Sequence, residues 1–278
     1  MKNFPFLHLI LFVLTFMSTL SWGALHAGVD LLKEPGKIYK GIPFSLTLML
    51  ILLSHELSHY FTSKRHGVKA TLPYFIPAPI TIIGTFGAFI KMKSPIVSRK
   101  ALIDIGASGP IAGFVISLIA TIIGLHLSEI VPMSRTSGGL NLGDSILFSF
   151  LSGIILDVTP SGSDILLNPI AFAGWIGFFV TSINLIPMGQ LDGGHIAYAL
   201  IGERHVRLSM ALIPVMFLLG LFLWEGWLVW AALLLVLGFR HPPVIYWEVP
   251  LDRKRKVIGW LSLLIFILTF IPVPFKLL

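Results

Sequence analysis

Apolar stretches nearly free of charge recur along the chain at Phe4–Trp22, Phe44–Ser63, Ala101–Leu125, Leu167–Met188, Leu208–Leu223, Trp227–Phe239 and Val257–Phe275. About 20 helical residues cross a hydrocarbon core. The pattern therefore predicts an all-α polytopic membrane protein with six to seven transmembrane helices. The fifth and sixth runs are short and parted only by Trp224–Glu225–Gly226. They read as a helical hairpin with Trp224, Trp227 and Trp230 near one interface; a single re-entrant hairpin is the rival reading. The first run is followed by small residues at Gly23–Ala27. Its length exceeds the apolar core of a usual signal peptide, which favours an uncleaved anchor over a cleaved signal.

Between the runs, Glu34–Pro35–Gly36 marks a turn. Thr71–Ile90 is apolar but broken by Pro73, Pro77, Pro79, Gly84 and Gly87. It cannot be a straight helix and is too apolar for water. A re-entrant loop after the second span is expected, its backbone covered by protein or lining a cavity. Residues 126–166 form an outer insertion with turn-rich ends, Ser137–Gly139 and Pro160–Gly162, around a short apolar stretch, Ile146–Leu156. It is too short for an ordinary folded domain. The organisation expected is an N-terminal anchor and outer loop (1–41), a membrane core carrying the insertion (42–200) and C-terminal transmembrane helices (201–278).

Composition agrees and removes other classes. Charged residues make up 12% and hydrophobic ones 55%, against about 25% charged in soluble domains. A soluble globular domain, a disordered chain, collagen and a coiled coil are excluded. The absence of cysteine excludes disulfides, thiolate zinc sites and a cysteine nucleophile. The net charge of +7 is assigned to loops facing anionic lipid, with no nucleic-acid partner. Alternating seven spans gathers 15 of the 20 Lys and Arg residues on one side, the cytoplasmic one by the positive-inside rule. A prokaryotic inner membrane is the expected location.

Within the second run lies His55–Glu56–Leu57–Ser58–His59. On a helix, positions i and i+4 share a face, so both imidazoles can bind one metal ion. Glu56 stands where a carboxylate can take a proton from water. So short a pattern arises by chance in many soluble chains. Inside an apolar span, however, three ionisable residues cost on the order of a few kcal/mol each unless they are satisfied, and so mark function. Zinc needs a third protein ligand and keeps a fourth position open. Asp192 at the end of the fourth span is one candidate and His195 is the other. Pro187 and the Gly193–Gly194 pair break the helix there. A carboxylate capping the following helix is the purely structural reading of Asp192. His55 and His59 lie roughly 7–14 Å inside the boundary marked by Lys64, and Asp192 leaves its span on that same side.

With these residues in hand, the chain resembles the site-2 protease family of intramembrane zinc metalloproteases. His-Glu-Leu-Ser-His matches HExxH, and Asn184-Leu-Ile-Pro-Met-Gly-Gln-Leu-Asp192-Gly193 matches NxxPxxxLDG. The resemblance covers about residues 42–200. Thr71–Lys93, with Leu-Pro-Tyr-Phe-Ile-Pro-Ala-Pro and Gly-Thr-Phe-Gly-Ala, looks most like the branch of plant chloroplast proteins named for an ethylene-dependent gravitropism-deficient, yellow-green phenotype. Lys100–Phe114 also fits the family. The resemblance implies one zinc per chain bound by His55, His59 and Asp192, with Glu56 as general base and Asn184 near the substrate. It also implies that Gly84, Thr85, Phe86 and Gly87 seat an extended substrate by strand addition. The family's PDZ and cystathionine-synthase-like domains find no room here.

The function expected is hydrolysis of peptide bonds in or near transmembrane segments of membrane-protein substrates, nearer the cytoplasmic face. Two rivals are a catalytically silent relative that binds membrane proteins as a chaperone, and a metal transporter. The transporter would not need Glu56 beside the histidines, and no inverted repeat is present. Asp104 reads as a helix-terminus or ion-pair residue, His66 and His205 as solvated loop residues, and Asp252–Lys256 as an inner-leaflet anchor. Gly106, Gly109 and Gly113 read as allowing close helix packing.

Overall fold

The computed structural model describes residues 5–132, 140–156, 163–238 and 241–277. The insertion ends Ser137–Gly139 and Pro160–Gly162, and the run ends Phe4 and Phe239, lie outside the described residues. All seven apolar runs are helical: α1 Phe6–His26, α2 Ile42–Arg65, α3 Arg99–His126, α5 Pro169–Asn184, α7 Arg204–Phe222, α8 Gly226–Leu237 and α9 Arg253–Thr269. Two further helices, α4 Ile146–Ile155 and α6 Asp192–Ile201, complete the helical set among the described residues. Among the described residues, four segments are long and apolar enough to cross a membrane: Phe6–His26, Pro35–Arg65, Arg99–His126 and Arg204–Phe222. Helices α5, α8 and α9 have 16, 12 and 17 residues, fewer than the usual full crossing. Six short strands, β1 Tyr74–Pro77, β2 Thr85–Phe89, β3 Glu129–Pro132, β4 Leu140–Leu142, β5 Ser163–Leu166 and β6 Phe275–Leu277, pair as β1 with β2, β3 with β5 and β4 with β6.

The chain divides into two compact units: Met1–Ser94 with Ala112–Ile130 and Ile165–Gly177, and Pro95–Ile111 with Val131–Asp164 and Phe178–Leu278. In the first, α2 follows a 3-10 turn (Pro35–Gly41), has a proline in its first turn and ends on Lys64 and Arg65. Proline suits the first turn, whose N–H groups have no intrahelical partner, and cations suit the C-terminal dipole. Helix α1 buries small and polar residues, Thr15, Ser18, Thr19, Gly23 and Ala24. It leaves Leu9, Val13, Leu14 and Met17 exposed, which is the pattern of a helix packed by small residues with lipid on its outer side. Thr19 and Ser45 hydroxyls meet at 2.6 Å between α1 and α2. Gly174 and Gly177 of α5 lie against Thr121 and Ser117 of α3, so close that a Cβ at either would overlap them.

The apolar Thr71–Ile90 segment is an antiparallel hairpin, with Tyr74 opposite Phe89, Phe75 opposite Ala88 and Pro77 opposite Thr85. Helix α1 lies along it. His8 Nδ1 is 3.0 Å from the Pro73 carbonyl, Trp22 Nε1 donates to the Pro79 carbonyl at 2.9 Å, and His26 Nε2 is 2.7 Å from the Ile82 carbonyl. Carbonyls that a proline-broken segment cannot satisfy within itself thus find side-chain partners, which is what an apolar environment requires of them.

In the second unit, α7 and α8 form a helical hairpin joined at Leu223–Glu225, with Trp227 buried and its indole donating to Pro272 at 2.7 Å. The insertion at 126–166 carries β3, β4, α4 and β5. Ser145 caps α4 by accepting from Phe148 N at 3.1 Å. Strand β4 pairs with β6, Asn141 opposite Lys276; positive-charge counting puts both on the outer side. Segments assigned to the inner side also meet one another. Tyr246 N donates to Val97 at 2.8 Å, and Arg99 Nε donates to Ala199 at 2.9 Å. Asp104 pairs with Arg255 at 2.5 Å. Asp252 caps α9 through Arg255 N at 2.9 Å. His205 differs from the sequence expectation. It is fully buried in α7, 3.3 Å from Ser209 Oγ, because the helix begins at Arg204 and draws it into the interior.

Candidate metal centre

Helix α2 places His55, Glu56 and His59 on its inner side, each 5–6% exposed. The two imidazoles approach with Nε2 of His55 3.1 Å from Nε2 of His59. Two nitrogens bound to one tetrahedral zinc at 2.0–2.1 Å stand about 3.3 Å apart, so the spacing suits a shared ion. The donors suit zinc as well, which imidazole nitrogens bind readily. Gly113 of α3 faces His55: a Cβ there would stand 3.2 Å from Nδ1 of that ring. A side chain at this position would press on the imidazole, which gives one of the predicted packing glycines a specific neighbour.

Asp192 is set by a chain break. Helix α5 ends at Asn184, and residues 185–191 turn through Met188 N to Ile186 O at 2.7 Å and Leu191 N to Met188 O at 3.2 Å, with Gly189 at φ +55°. Helix α6 then starts at Asp192 itself. Its N-cap is Leu191, and Asp192 is the acidic residue of its first turn. The two glycines after it are required by space. A Cβ at Gly193 would fall 2.0 Å from the Leu185 carbonyl oxygen, and one at Gly194 2.4 Å from that of Gly189. Gly106 of α3 admits the same turn, a Cβ there lying 3.2 Å from the Asp192 carbonyl oxygen and 3.0 Å from His195 Cβ. His55 and His59 belong to the first unit and Asp192 to the second. The Nδ1 atom of His195 lies 2.6 Å from Nε2 of His241.

Asn184 is the half-buried last residue of α5. Gly84 and Gly87 have φ of +78° and +96°, which only glycine adopts readily, and they flank Thr85 and Phe86 at the start of β2. Thr85 is buried, its hydroxyl donating to Ile76 at 2.8 Å and accepting from Gly87 N at 2.9 Å, while Phe86 is exposed. The residue that sequence reasoning missed is His241. It follows α8 in a segment without periodicity, and only the fold brings it to His195, 46 positions earlier.

The pattern of Peptidase family M50 matches residues 43–223. The chain is similar to "Probable zinc metalloprotease EGY2, chloroplastic" of Arabidopsis thaliana, 34% identical over 255 residues, which is 89% of this chain and 43% of that protein. It is 31% identical to "Probable zinc metalloprotease EGY1, chloroplastic" of the same plant, over 84% of this chain and 43% of the relative. It is 29% identical to "Probable zinc metalloprotease EGY3, chloroplastic" of Oryza sativa subsp. indica, over 83% and 42%. The chain thus spans under half the length of these relatives. Their names are chloroplastic, and they lend no support to the expected prokaryotic inner membrane.

Proposed function

This chain belongs to peptidase family M50, the site-2 protease family, and we propose that it is an integral-membrane zinc metalloendopeptidase. It hydrolyses peptide bonds in or near the transmembrane segments of membrane-protein substrates, in regulated intramembrane proteolysis. The observation that carries the reading is the buried His55–Glu56–His59 group in an apolar helix, its two Nε2 atoms 3.1 Å apart. An apolar span keeps such a group only for a purpose.

His55, His59 and Asp192 are the ligands of one zinc ion per chain, and three protein ligands leave one position for water or substrate. Bound by these residues, zinc would supply Lewis acidity to the scissile carbonyl and to the attacking water. Glu56 takes the proton of the attacking water and returns it to the leaving amine. Asn184 stands at the broken end of α5 to hold the substrate carbonyl. A substrate helix hides its amides in its own hydrogen bonds, so it unwinds first. The segment Gly84–Gly87, where the chain enters β2, receives it by strand addition. The hairpin is the re-entrant element, shielded from lipid by α1. Water enters from the nearer, positively charged side.

Glu56→Gln tests the reading. Zinc content stays at the wild-type level, while cleavage of a membrane substrate falls by about 10²–10⁴-fold, the usual share of general acid–base catalysis. Undiminished cleavage by that variant would remove Glu56 from the mechanism.

A further inference from the structure

His195 lies one helical turn past Asp192 on α6, and its ring nitrogen Nδ1 is 2.6 Å from Nε2 of His241. The other nitrogen of His241, Nδ1, is 2.6 Å from the Pro242 carbonyl oxygen. A carbonyl only accepts, so the proton of His241 is on Nδ1. Burial pushes the His241 imidazole's pKa down, favouring the neutral ring. A neutral ring protonated on Nδ1 has a bare Nε2, which must accept from His195 Nδ1–H. The tautomers of both rings are therefore set in series from a single backbone carbonyl. In neutral His195 the proton is on Nδ1, and Nε2 carries the lone pair.

A second metal site does not suit this pair. Its nitrogens, 2.6 Å apart, are closer than the roughly 3.3 Å of two ligands on one tetrahedral ion. Simple ring packing explains only part of the arrangement. His241 stacks on Tyr198, with centroids 4.4 Å apart and planes 15° apart, but meets His195 at 83°. That edge-on approach is the one that aims nitrogen at nitrogen. Gly238, just past α8, also abuts the turn before Asp192: a Cβ at Gly189 would fall 2.4 Å from the Gly238 carbonyl oxygen.

We propose that His241 is a positioning residue: the chain Pro242 carbonyl–His241–His195 fixes the first turn of α6, and with it the carboxylate of Asp192. The inference rests on the reading of Asp192 as a zinc ligand. Ligands held by an outer shell of hydrogen bonds typically lose 10–100-fold in metal affinity or activity when that shell is removed.

Two substitutions in the full-length protein, purified in detergent, separate the hydrogen bond from the packing. His241→Phe keeps a ring on Tyr198 but removes the acceptor. His241→Gln removes the ring and keeps an acceptor for His195 Nδ1–H. Zinc retention against a graded chelator and the kcat of cleavage are measured beside thermal melting. The expected result is a 10–100-fold loss of zinc affinity in His241→Phe with KM little changed, and a return to within about threefold of wild type in His241→Gln. If His241→Phe fails to fold, wild-type zinc affinity in His241→Gln still supports the acceptor role. Wild-type behaviour of His241→Phe, or equal loss in both variants, would overturn it. A wild-type protein that binds no zinc would instead refute the metalloprotease reading beneath it.

Discussion

The molecule holds two pairs of facing histidines, and they are built for different occupants. In α2, His55 and His59 come one turn apart from a single helix and meet Nε2 to Nε2 at 3.1 Å. The other pair joins α6 to the segment after α8, meeting Nδ1 to Nε2 at 2.6 Å with a carbonyl behind it. The first spacing fits two lone pairs on one ion, and the second fits one proton between two nitrogens. Residue type alone does not distinguish them. What does is the separation and the atoms that meet, Nε2 with Nε2 at 3.1 Å against Nδ1 with Nε2 at 2.6 Å.

That contrast can be broken most severely at the metal-type pair. His59→Ala removes one of three ligands, and zinc should be absent from the purified protein by elemental analysis, with cleavage abolished. Glu56→Gln comes next: it keeps the ion and loses about 10²–10⁴-fold in rate. His241→Phe at the proton-type pair costs an expected 10–100-fold in zinc affinity, and His241→Gln restores it. The smallest effect is expected at Gly113→Ala, whose methyl would stand 3.2 Å from His55 Nδ1. A shift of a few tenths of an ångström relieves it, so chelator resistance should drop by only a few-fold while the fold, read by melting, is kept. Zinc affinity at the wild-type level in Gly113→Ala would show that α3 does not press on the ligand.

Much of this was legible in the sequence where one segment carries its own information. The i, i+4 histidines of α2, the break at Pro187 and the run of apolar segments are local and periodic. The strands of the Thr71–Ile90 hairpin were less visible, since prolines and glycines explain the broken helix but not the pairing of Tyr74 with Phe89. Helix α6 was legible only as a helix following Asp192, because ten residues containing His195 and Tyr198 do not form an apolar run. His205 was placed in a basic loop by its neighbours Arg204 and Arg207, yet the turn at Gly202 starts α7 early enough to bury it. His241 could not be found at all, because its partner is set by tertiary packing and no spacing rule links positions 195 and 241.

The central claim is the ligand set, and the most direct measurement is zinc per chain in wild type, Asp192→Ala and His195→Ala, each purified without added chelator. The account predicts one zinc in wild type and none in Asp192→Ala. His195→Ala should keep its zinc but release it to a chelator more readily. Zinc kept by Asp192→Ala and lost from His195→Ala would exchange the two roles and contradict both the ligand assignment and the positioning chain built on it.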